Sequence, residues 1–303
     1  MNAVVEKALT RVLGVDMTDA TPVVVAGVVA GRLRGLLPVP LMVALARLRA
    51  WVGWRNEGVR ADARRQMAFL LEHSDPSADI EAAARRYVYR QALRGELRWH
   101  PSLTTDLRFE GLEHLEKAVA HGKGVVFNWM HHGHVEATAK PLADAGFHMR
   151  QVGAEKLFGA LPAWLRQHLK IAAMGGSVMI SAARGSQGLL EELQAGHTLS
   201  IAVDVPGRTP MRLLGRDVIG SFGAPRFAIA TGAPVVIMTS ELEHPDDVRP
   251  LMRIHPPLWA EDYAGPQELL EAMLEVHEPY LRQWPELYDI PLSHWGLPPE
   301  GES

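Results

Sequence analysis

Residues 124–140, GVVFNWMHHGHVEATAK, carry the pattern that decides the fold and the chemistry of this 303-residue chain. The first four residues form an apolar run, which predicts a buried strand. A loop with three histidines and one glycine follows, and Glu136 then opens a predicted helix. In an open parallel sheet, ligands bind beyond the carboxyl ends of the strands. The histidine loop therefore lies where a catalytic or binding site is expected.

Strands and helices continue to alternate after this stretch. Predicted strands at 148–152, 199–203 and 234–239 are separated by predicted helices at 158–170, 185–194 and 224–231. This alternation predicts an α/β fold with a mainly parallel central sheet flanked by helices.

The amino-terminal third has a different pattern, because its apolar residues recur at helical spacing. Residues 57–72 are an example, with apolar side chains every three to four positions along one face. We therefore expect three parts: a helical region at 1–104 that packs on the core, an α/β core at 105–295 and a flexible tail at 296–303.

The composition excludes several classes of protein. With 47% apolar residues the chain can bury a core, which excludes disorder for most of its length. The 31 basic and 35 acidic side chains give a net charge of −4, so the basic field of nucleic-acid-binding proteins is absent. The chain has no cysteine, which excludes disulfides, thiolate metal sites and a cysteine nucleophile and fits a reducing compartment.

Two apolar segments lie near the amino terminus, at 21–31 and 35–46. Acidic residues precede the first one, so the order of a secretory signal is absent, and both are shorter than the ~18–20 residues that span a bilayer. They fit either buried helices or a surface hairpin at 21–55 that presses apolar side chains against lipid while arginines meet headgroups. Because apolar helices in proteins of this size are usually core, the buried interpretation is favoured.

The histidine loop itself suggests acid–base chemistry. If His131 stays on the loop while Glu136 lies in the first turn of the helix, the carboxylate can accept one imidazole N–H and leave the other nitrogen as a base. Gly133 permits the bend that this contact requires. Three histidines and a glutamate could also bind zinc, but adjacent histidines diverge and no H-E-x-x-H helix is present. We therefore favour the interpretation that His131 is a base that acts without a metal ion, and we expect no cofactor.

Three blocks of sequence together resemble a known family. The first runs from Phe109 to Glu136, the second is GLLEELQAGHTLSIAVD at 188–204 followed by Pro206-Gly207-Arg208, and the third is FAIATGAPVV at 227–236. In this order they resemble the bacterial lipid A late acyltransferases, a group that is similar to phosphatidylinositol mannoside and lysophospholipid acyltransferases. The His-x4-Asp/Glu signature of that family matches His131 and Glu136, and the resemblance spans about residues 35–290.

The resemblance implies a glycerolipid acyltransferase-like fold and acyl transfer from an acyl carrier protein or coenzyme A thioester to a lipid or small-molecule acceptor. It implies that His131 is the general base and Glu136 its orienting carboxylate, and that the Gly133 amide approaches the thioester oxyanion. The polar residues that it places around donor and acceptor are Arg150, Arg166, Asp204 and Arg208.

The chain departs from the family pattern at two places. His134-Val135 replaces Asn-Trp, and Leu213-Leu214-Gly215 replaces an aromatic block, so the acceptor is left open between a lipid and a soluble molecule. Two other functions stay open: hydrolysis or intramolecular cyclisation of a carrier-bound substrate with the same base, and partner binding without catalysis. The expected location is the cytoplasm, with peripheral attachment to the inner face of the cytoplasmic membrane as the alternative.

Overall fold

The computed structural model describes residues 22–159 and 161–297. Seven strands form one sheet in the order β1-β9-β8-β2-β5-β3-β4, and β6 and β7 form a separate antiparallel hairpin. The strands are β1 Phe109–Glu110, β2 Val125–Trp129, β3 Met149–Gly153, β4 Val178–Ser181, β5 Thr198–Ala202, β6 Thr209–Leu213, β7 Arg216–Gly220, β8 Val235–Glu241 and β9 Leu251–Ile254.

Five strands at the centre and one side of this sheet, β8, β2, β5, β3 and β4, run parallel to one another. On the other side β9 is antiparallel to β8, and β1 is parallel to β9. The predicted α/β class with a mainly parallel sheet is confirmed. The central strands are buried along almost their whole length, as is usual for parallel strands covered by helices.

Helices cover both faces of the sheet and form the whole amino-terminal part of the described chain. They are α1 Pro22–Arg34, α2 Val39–Arg55, α3 Glu57–Leu71, α4 Ile80–Leu97, α5 Pro101–Thr104, α6 Leu112–Ala120, α7 Ala139–Asp144, α8 Ala163–Ala172, α9 Gly185–Gln194, α10 Gly223–Thr231, α11 Pro266–Gln283 and α12 Pro291–His294. Asn56 and Asp79 cap α3 and α4 through their side-chain oxygens, which accept hydrogen bonds from Val59 and Ala82 at 3.2 and 2.9 Å.

One hydrophobic cluster joins the amino-terminal helices to the sheet. Met67 of α3 and Tyr87 of α4 belong to the same buried cluster as Val126 of β2 and Leu199 of β5. The burial of these side chains fixes α3 and α4 against one face of the sheet, so α4 reaches the edge where the histidine loop lies.

The helices α1 and α2 and the short connection between them, residues 22–55, form a segment with many exposed apolar side chains, here called the α1–α2 segment. Met42 and Ala46 of α2 are fully buried, but eight large apolar side chains are 41–79% exposed. These are Val29, Leu33, Leu36, Val39, Leu41, Leu48, Trp51 and Val52. The favoured prediction that this segment is buried is therefore wrong for its outer face, because no other element of the described chain covers it. None of the helices in the described part of the chain is both long and apolar enough to span a bilayer.

The carboxyl-terminal segment is ordered further than the sequence suggests. Gly296, which the predicted flexible tail includes, exchanges two backbone hydrogen bonds of 2.8 Å with Ile219 of β7. The rest of the predicted tail, 298–303, and the first residues of the predicted helical region, 1–21, lie outside the described residues.

A buried histidine links α11 to the central strand and makes stability depend on pH. His277 Nε2 lies 3.0 Å from Asn128 Oδ1, and burial lowers the pKa of His277 to about 3. Its neighbours Asp204, His255 and His132 shift it less. Below its ordinary pKa of about 6.5 the unfolded chain binds a proton that the folded chain excludes. Stability is therefore lost as the pH falls from about 6.5 towards 3.

We expect His277→Gln to flatten this dependence by up to about 1.4 kcal/mol per pH unit below pH 6.5, as linkage requires for one proton. Urea unfolding at several pH values between 4 and 8 measures the slope. The matched control is His73→Gln, because His73 is exposed. Equal slopes in the wild type and His277→Gln would show that His277 titrates normally in the folded protein.

Candidate active site

The register of the central strands brings His131 and Asp204 together. Trp129, the last residue of β2, pairs with Ala202, the last residue of β5. Beyond each strand end the chain runs on for two residues, and the same alignment places His131 beside Asp204. The His131 backbone N–H donates to Asp204 Oδ2 at 2.7 Å, and the ring Nδ1 lies 3.0 Å from Asp204 Oδ1. Both residues thus lie at the carboxyl edge of the sheet, where ligands are expected.

The Asp204 carboxylate fixes the proton on one imidazole nitrogen. Asp204 is completely buried, and burial opposes its ionisation, but the charge of His131 and the hydrogen bonds outweigh burial, so the pKa of this carboxyl lies below its usual value. An ionised carboxylate can only accept hydrogen bonds, so Nδ1 of His131 carries the hydrogen. The Nε2 atom is then left with a lone pair, as a general base requires.

A second layer of hydrogen bonds holds Asp204. Tyr288 donates its hydroxyl to Asp204 Oδ2 at 2.7 Å, and Trp295 donates its indole N–H to the Tyr288 hydroxyl at 2.7 Å. Burial, together with the neighbouring Asp204, raises the pKa of Tyr288 well above its usual value, so the phenol stays a donor. Both aromatic residues come from the segment after α11.

The ring of His131 is also held by packing. His294 stacks on it with ring centroids 4.0 Å apart and planes 16° apart, and Trp129 packs against it in an edge arrangement with ring centroids 5.0 Å apart. Burial, followed by the neighbouring His131, lowers the pKa of His294, which keeps the stacked ring neutral. The His131 side chain keeps 25% of its surface exposed. It is therefore oriented on three sides and still open to a substrate.

The other two histidines of the loop are buried. His132 and His134 are only 4% and 6% exposed, and burial lowers the pKa of both to about 4. His132 Nε2 lies 2.8 Å from the Trp284 carbonyl oxygen and donates to it. These two side chains therefore support the loop, and His131 is the one that a substrate can reach.

Glu136 does not contact His131, in contrast to the sequence-based expectation. It lies in a 3-10 turn, Val135–Ala137, and its carboxylate binds Arg94 of α4 with Nη2–Oε2 and Nε–Oε1 distances of 3.1 and 3.4 Å. Burial opposes its charge, but Arg94 outweighs burial and holds the pKa of Glu136 well below its usual value. The two expected partners are each bound elsewhere, His131 by Asp204 and Glu136 by Arg94.

Gly133 has a structural role at the bend of the loop. Its φ is +82°, and a Cβ atom there would lie 2.2 Å from Ser240 Oγ. Its N–H donates to the Leu287 carbonyl oxygen at 3.0 Å. The Gly133 amide is thus already used within the protein, and the expected contact with a thioester oxyanion would require it to leave Leu287.

We expect Gly133→Ala to lower the free energy of unfolding by about 2–4 kcal/mol, because it combines left-handed strain with overpacking against Ser240. Urea unfolding measures the change. Gly122→Ala is the matched control, since Gly122 has a similar φ of +80° but no atom within 4 Å of a built Cβ. Equal losses in both variants would show that the contact with Ser240 costs nothing.

The predicted arginines are not gathered at this edge. Arg150 lies near the start of β3, level with Leu199, and contacts Glu192 at 3.6 Å and His197 at 3.4 Å. This corrects the expectation that Arg150 lies beside the donor or acceptor, because the strand continues for three more residues to Gly153 before it reaches the carboxyl edge. Arg150 therefore belongs to a charged cluster at the opposite edge of the sheet.

The other two arginines lie away from His131. Arg208 is exposed on the connection from β5 to β6, four residues after Asp204. Arg166 of α8 donates to the Leu161 carbonyl oxygen at 2.8 Å and lines a cavity of about 350 Å³ with Val28, Phe158 and Lys170. Neither arginine contacts His131.

One cluster of side chains in the described part of the chain could bind a metal ion. His131, Asp204 and His294 each offer a ligand atom, and these atoms lie within 4.8 Å of one another. Asp204 Oδ2 already accepts hydrogen bonds from the His131 backbone and from Tyr288, and Oδ1 faces His131 Nδ1, so a metal ion would compete with these hydrogen bonds. The metal-free site stays a prediction.

Four residues of the site were not identified from the sequence: Arg94, Tyr288, His294 and Trp295. Arg94 did carry a signal, because the buried positions Ala83, Tyr87 and Arg90 of α4 precede it at helical spacing. A charged side chain on a buried helical face needs a partner of opposite charge. The other three lie in a short segment without a periodic pattern, so only the folded chain places them.

Comparison with known proteins identifies a family and finds several similar solved structures, one of which is an acyltransferase. No curated protein matches the chain significantly. The 1-acyl-sn-glycerophosphate acyltransferase PlsC from Thermotoga maritima is 15% identical, with a TM-score of 0.40 over 80% of this chain and 96% of that chain. The family described as bacterial lipid A biosynthesis acyltransferase matches residues 17–295. This match covers nearly the whole sequence, and the chain belongs to that family of acyltransferases.

Proposed function

We propose that this protein transfers an acyl group from an acyl carrier protein or coenzyme A thioester to a hydroxyl or amine, with His131 as the general base. The observation that carries this proposal is the His131–Asp204 contact of 3.0 Å, which leaves Nε2 of a partly exposed imidazole as a base. Membership of an acyltransferase family supports the reaction class.

The reaction needs one proton to be moved twice. His131 Nε2 takes the proton of the acceptor as its oxygen or nitrogen attacks the thioester carbonyl carbon, which forms the new C–O or C–N bond. The tetrahedral intermediate then breaks its C–S bond, and the imidazolium returns the proton to the leaving thiolate. Asp204 stabilises the imidazolium that exists between these two steps.

Two features of the protein suit parts of the substrates. Arg208 follows Asp204 on an exposed connection and is suited to a phosphate of the donor or acceptor. The cavity beside Arg166 has apolar walls that include Val28, Phe158 and Leu169, and its volume of about 350 Å³ suits a hydrocarbon chain. We place the acyl chain of one substrate there.

We also propose that the α1–α2 segment attaches the protein to the inner face of the cytoplasmic membrane. Its exposed apolar side chains include Leu36 at 79% and Trp51 at 58% exposure, and Arg32, Arg47 and Arg55 lie in the same segment. Apolar side chains flanked by arginines bind the interface of anionic bilayers. Arg34 and Arg49, by contrast, bind buried Glu96 and so hold the segment to α4.

Vesicle co-sedimentation tests the membrane proposal. The double substitution Leu48→Ser and Trp51→Ser should weaken binding to phosphatidylcholine–phosphatidylglycerol vesicles by about tenfold or more, because both side chains are more than half exposed and would bury apolar surface in lipid. Val119→Ser is the matched control, since Val119 is 44% exposed on α6. Binding that is unchanged in the double variant would exclude the α1–α2 segment as the membrane contact.

An assay with acyl thioesters tests the reaction. The wild type should release free thiol only when an acceptor is present, and His131→Ala should abolish the release without unfolding the protein. Thiol release without an acceptor would point instead to hydrolysis, and a cyclised product to intramolecular attack with the same base. No reaction with any thioester would overturn the proposal.

A further inference from the structure

Arg94 of α4 is a buried cation that contacts two carboxylates from distant parts of the chain. Only 7% of its side chain is exposed, and Glu136 beside it is 4% exposed. Its Nη2 lies 3.1 Å from Glu136 Oε2, and its Nη1 lies 3.0 Å from Asp289 Oδ2. Glu136 belongs to the loop after β2, whereas Asp289 belongs to the segment after α11. One guanidinium therefore joins these two segments.

The two segments that Arg94 joins are those that build the site. The Asp289 backbone N–H donates to the carbonyl oxygen of His131 at 2.8 Å, and Gly133 donates to Leu287 at 3.0 Å. The same segment supplies Tyr288 and His294, which contact Asp204 and His131. Asp289 thus binds Arg94 through its side chain and His131 through its backbone.

The charges of the cluster favour this arrangement. Burial opposes the charge of Arg94, but Asp289 and Glu136 outweigh burial and raise its pKa above the usual value. Glu136 also has His168 3.7 Å away. Burial, followed by the charge of Arg94, lowers the pKa of the neighbouring Arg98. A guanidinium can serve two carboxylates at once because its donors form a planar fork, which a lysine lacks.

We propose that Arg94 is a positioning residue for His131, and that Glu136 acts through Arg94 rather than directly on the base. By holding Glu136 and Asp289 together, Arg94 fixes the loop with His131 against the segment that supplies Tyr288 and His294. A test of this proposal by kcat rests on the acyl transfer proposed above. A second test therefore measures the chemical modification of His131, which does not depend on that reaction.

The first experiment separates positioning from folding. Arg94→Lys should lower kcat by about 10- to 100-fold with little change in KM, because a shift of the base by about 1 Å is enough for such a loss. Combining Arg94→Met with Glu136→Leu replaces the buried ion pair by apolar groups, which should recover the melting temperature lost in Arg94→Met alone. Recovery of kcat together with the melting temperature would overturn the proposal, as would full kcat in Arg94→Lys.

A matched control comes from the same helix. Arg86 lies on α4 and binds buried Glu286 at 3.1 Å, so it ties α4 to the same segment without touching Glu136 or Asp289. Arg86→Met should lower the melting temperature and leave kcat within about threefold of the wild type. A loss of kcat as large as in Arg94→Lys would show that any contact between α4 and this segment suffices, which would overturn the specific role of Arg94.

The second readout is the rate at which diethyl pyrocarbonate modifies His131, followed by peptide mass spectrometry. Arg94→Lys should make this rate at least about threefold faster, because a site whose supporting contacts are weakened becomes looser. An unchanged rate would overturn the positioning role, whatever reaction the protein catalyses. Absence of acyl transfer together with a faster rate would instead refute only the proposed reaction.

Discussion

Replacing His131 by alanine should lower kcat by about 10²–10⁴-fold, the usual cost of losing a general base. The fold should survive, because Asp204 would keep its hydrogen bonds from Tyr288 and from the backbone of residue 131. Initial rates with a saturating thioester and acceptor, beside a melting curve, measure both effects. The physical reason is that Nε2 of His131 is the accessible basic nitrogen of the loop.

The matched comparison is His132→Ala. His132 is buried and bonded to Trp284, so its removal should cost about 1–3 kcal/mol of stability and leave the kcat of the folded protein nearly unchanged. If His132→Ala is inactive while folded, and His131→Ala is active, the base has been assigned to the wrong histidine.

Asp204→Asn should lower kcat by a similar amount, about 10²–10⁴-fold, although the side chain keeps its size. An amide has no negative charge, so it stabilises the imidazolium form of His131 less than a carboxylate does. It also no longer keeps the proton of the neutral ring on Nδ1, so Nε2 is not always the basic nitrogen. The pH dependence of kcat/KM, measured beside the rate, reports the change at the base.

The comparison of Asp204→Asn with Glu136→Gln decides which carboxylate orients His131. The structure places Asp204 on the imidazole and Glu136 on Arg94, so we expect the loss of kcat in Glu136→Gln to be only part of that in Asp204→Asn. A larger loss in Glu136→Gln, with the melting temperature kept, would mean that Glu136 reaches His131 during the reaction.

Local patterns predicted the elements that place the site. The segments that became β2 and β5 are short and largely apolar, and His131 and Asp204 each lie two positions after the end of their strand. Both residues could therefore be assigned to the carboxyl edge of a parallel sheet. The resemblance of three blocks to an acyltransferase family also agrees with the family match over residues 17–295.

The local sequence patterns could not predict which strands pair with each other. A run of apolar residues does not state its neighbour or direction, so the antiparallel β8–β9 pair and the β6–β7 hairpin appear only in the folded chain. Such a run also does not determine which of its residues lies opposite which residue of the neighbouring strand. Asp204 lies opposite His131, 73 residues away, because β2 and β5 align Trp129 with Ala202.

Tertiary packing also decided which side chain Glu136 contacts and how far α1 and α2 are buried. Glu136 lies five positions after His131 and could have reached it from a bent loop, but Arg94 from α4 lies closer in the folded core. A buried carboxylate gains more from a guanidinium than from a partly exposed imidazole, because the low dielectric strengthens the attraction between full charges. Likewise, the sequence shows that α1 and α2 are apolar, and only the arrangement of the other helices leaves their outer face uncovered.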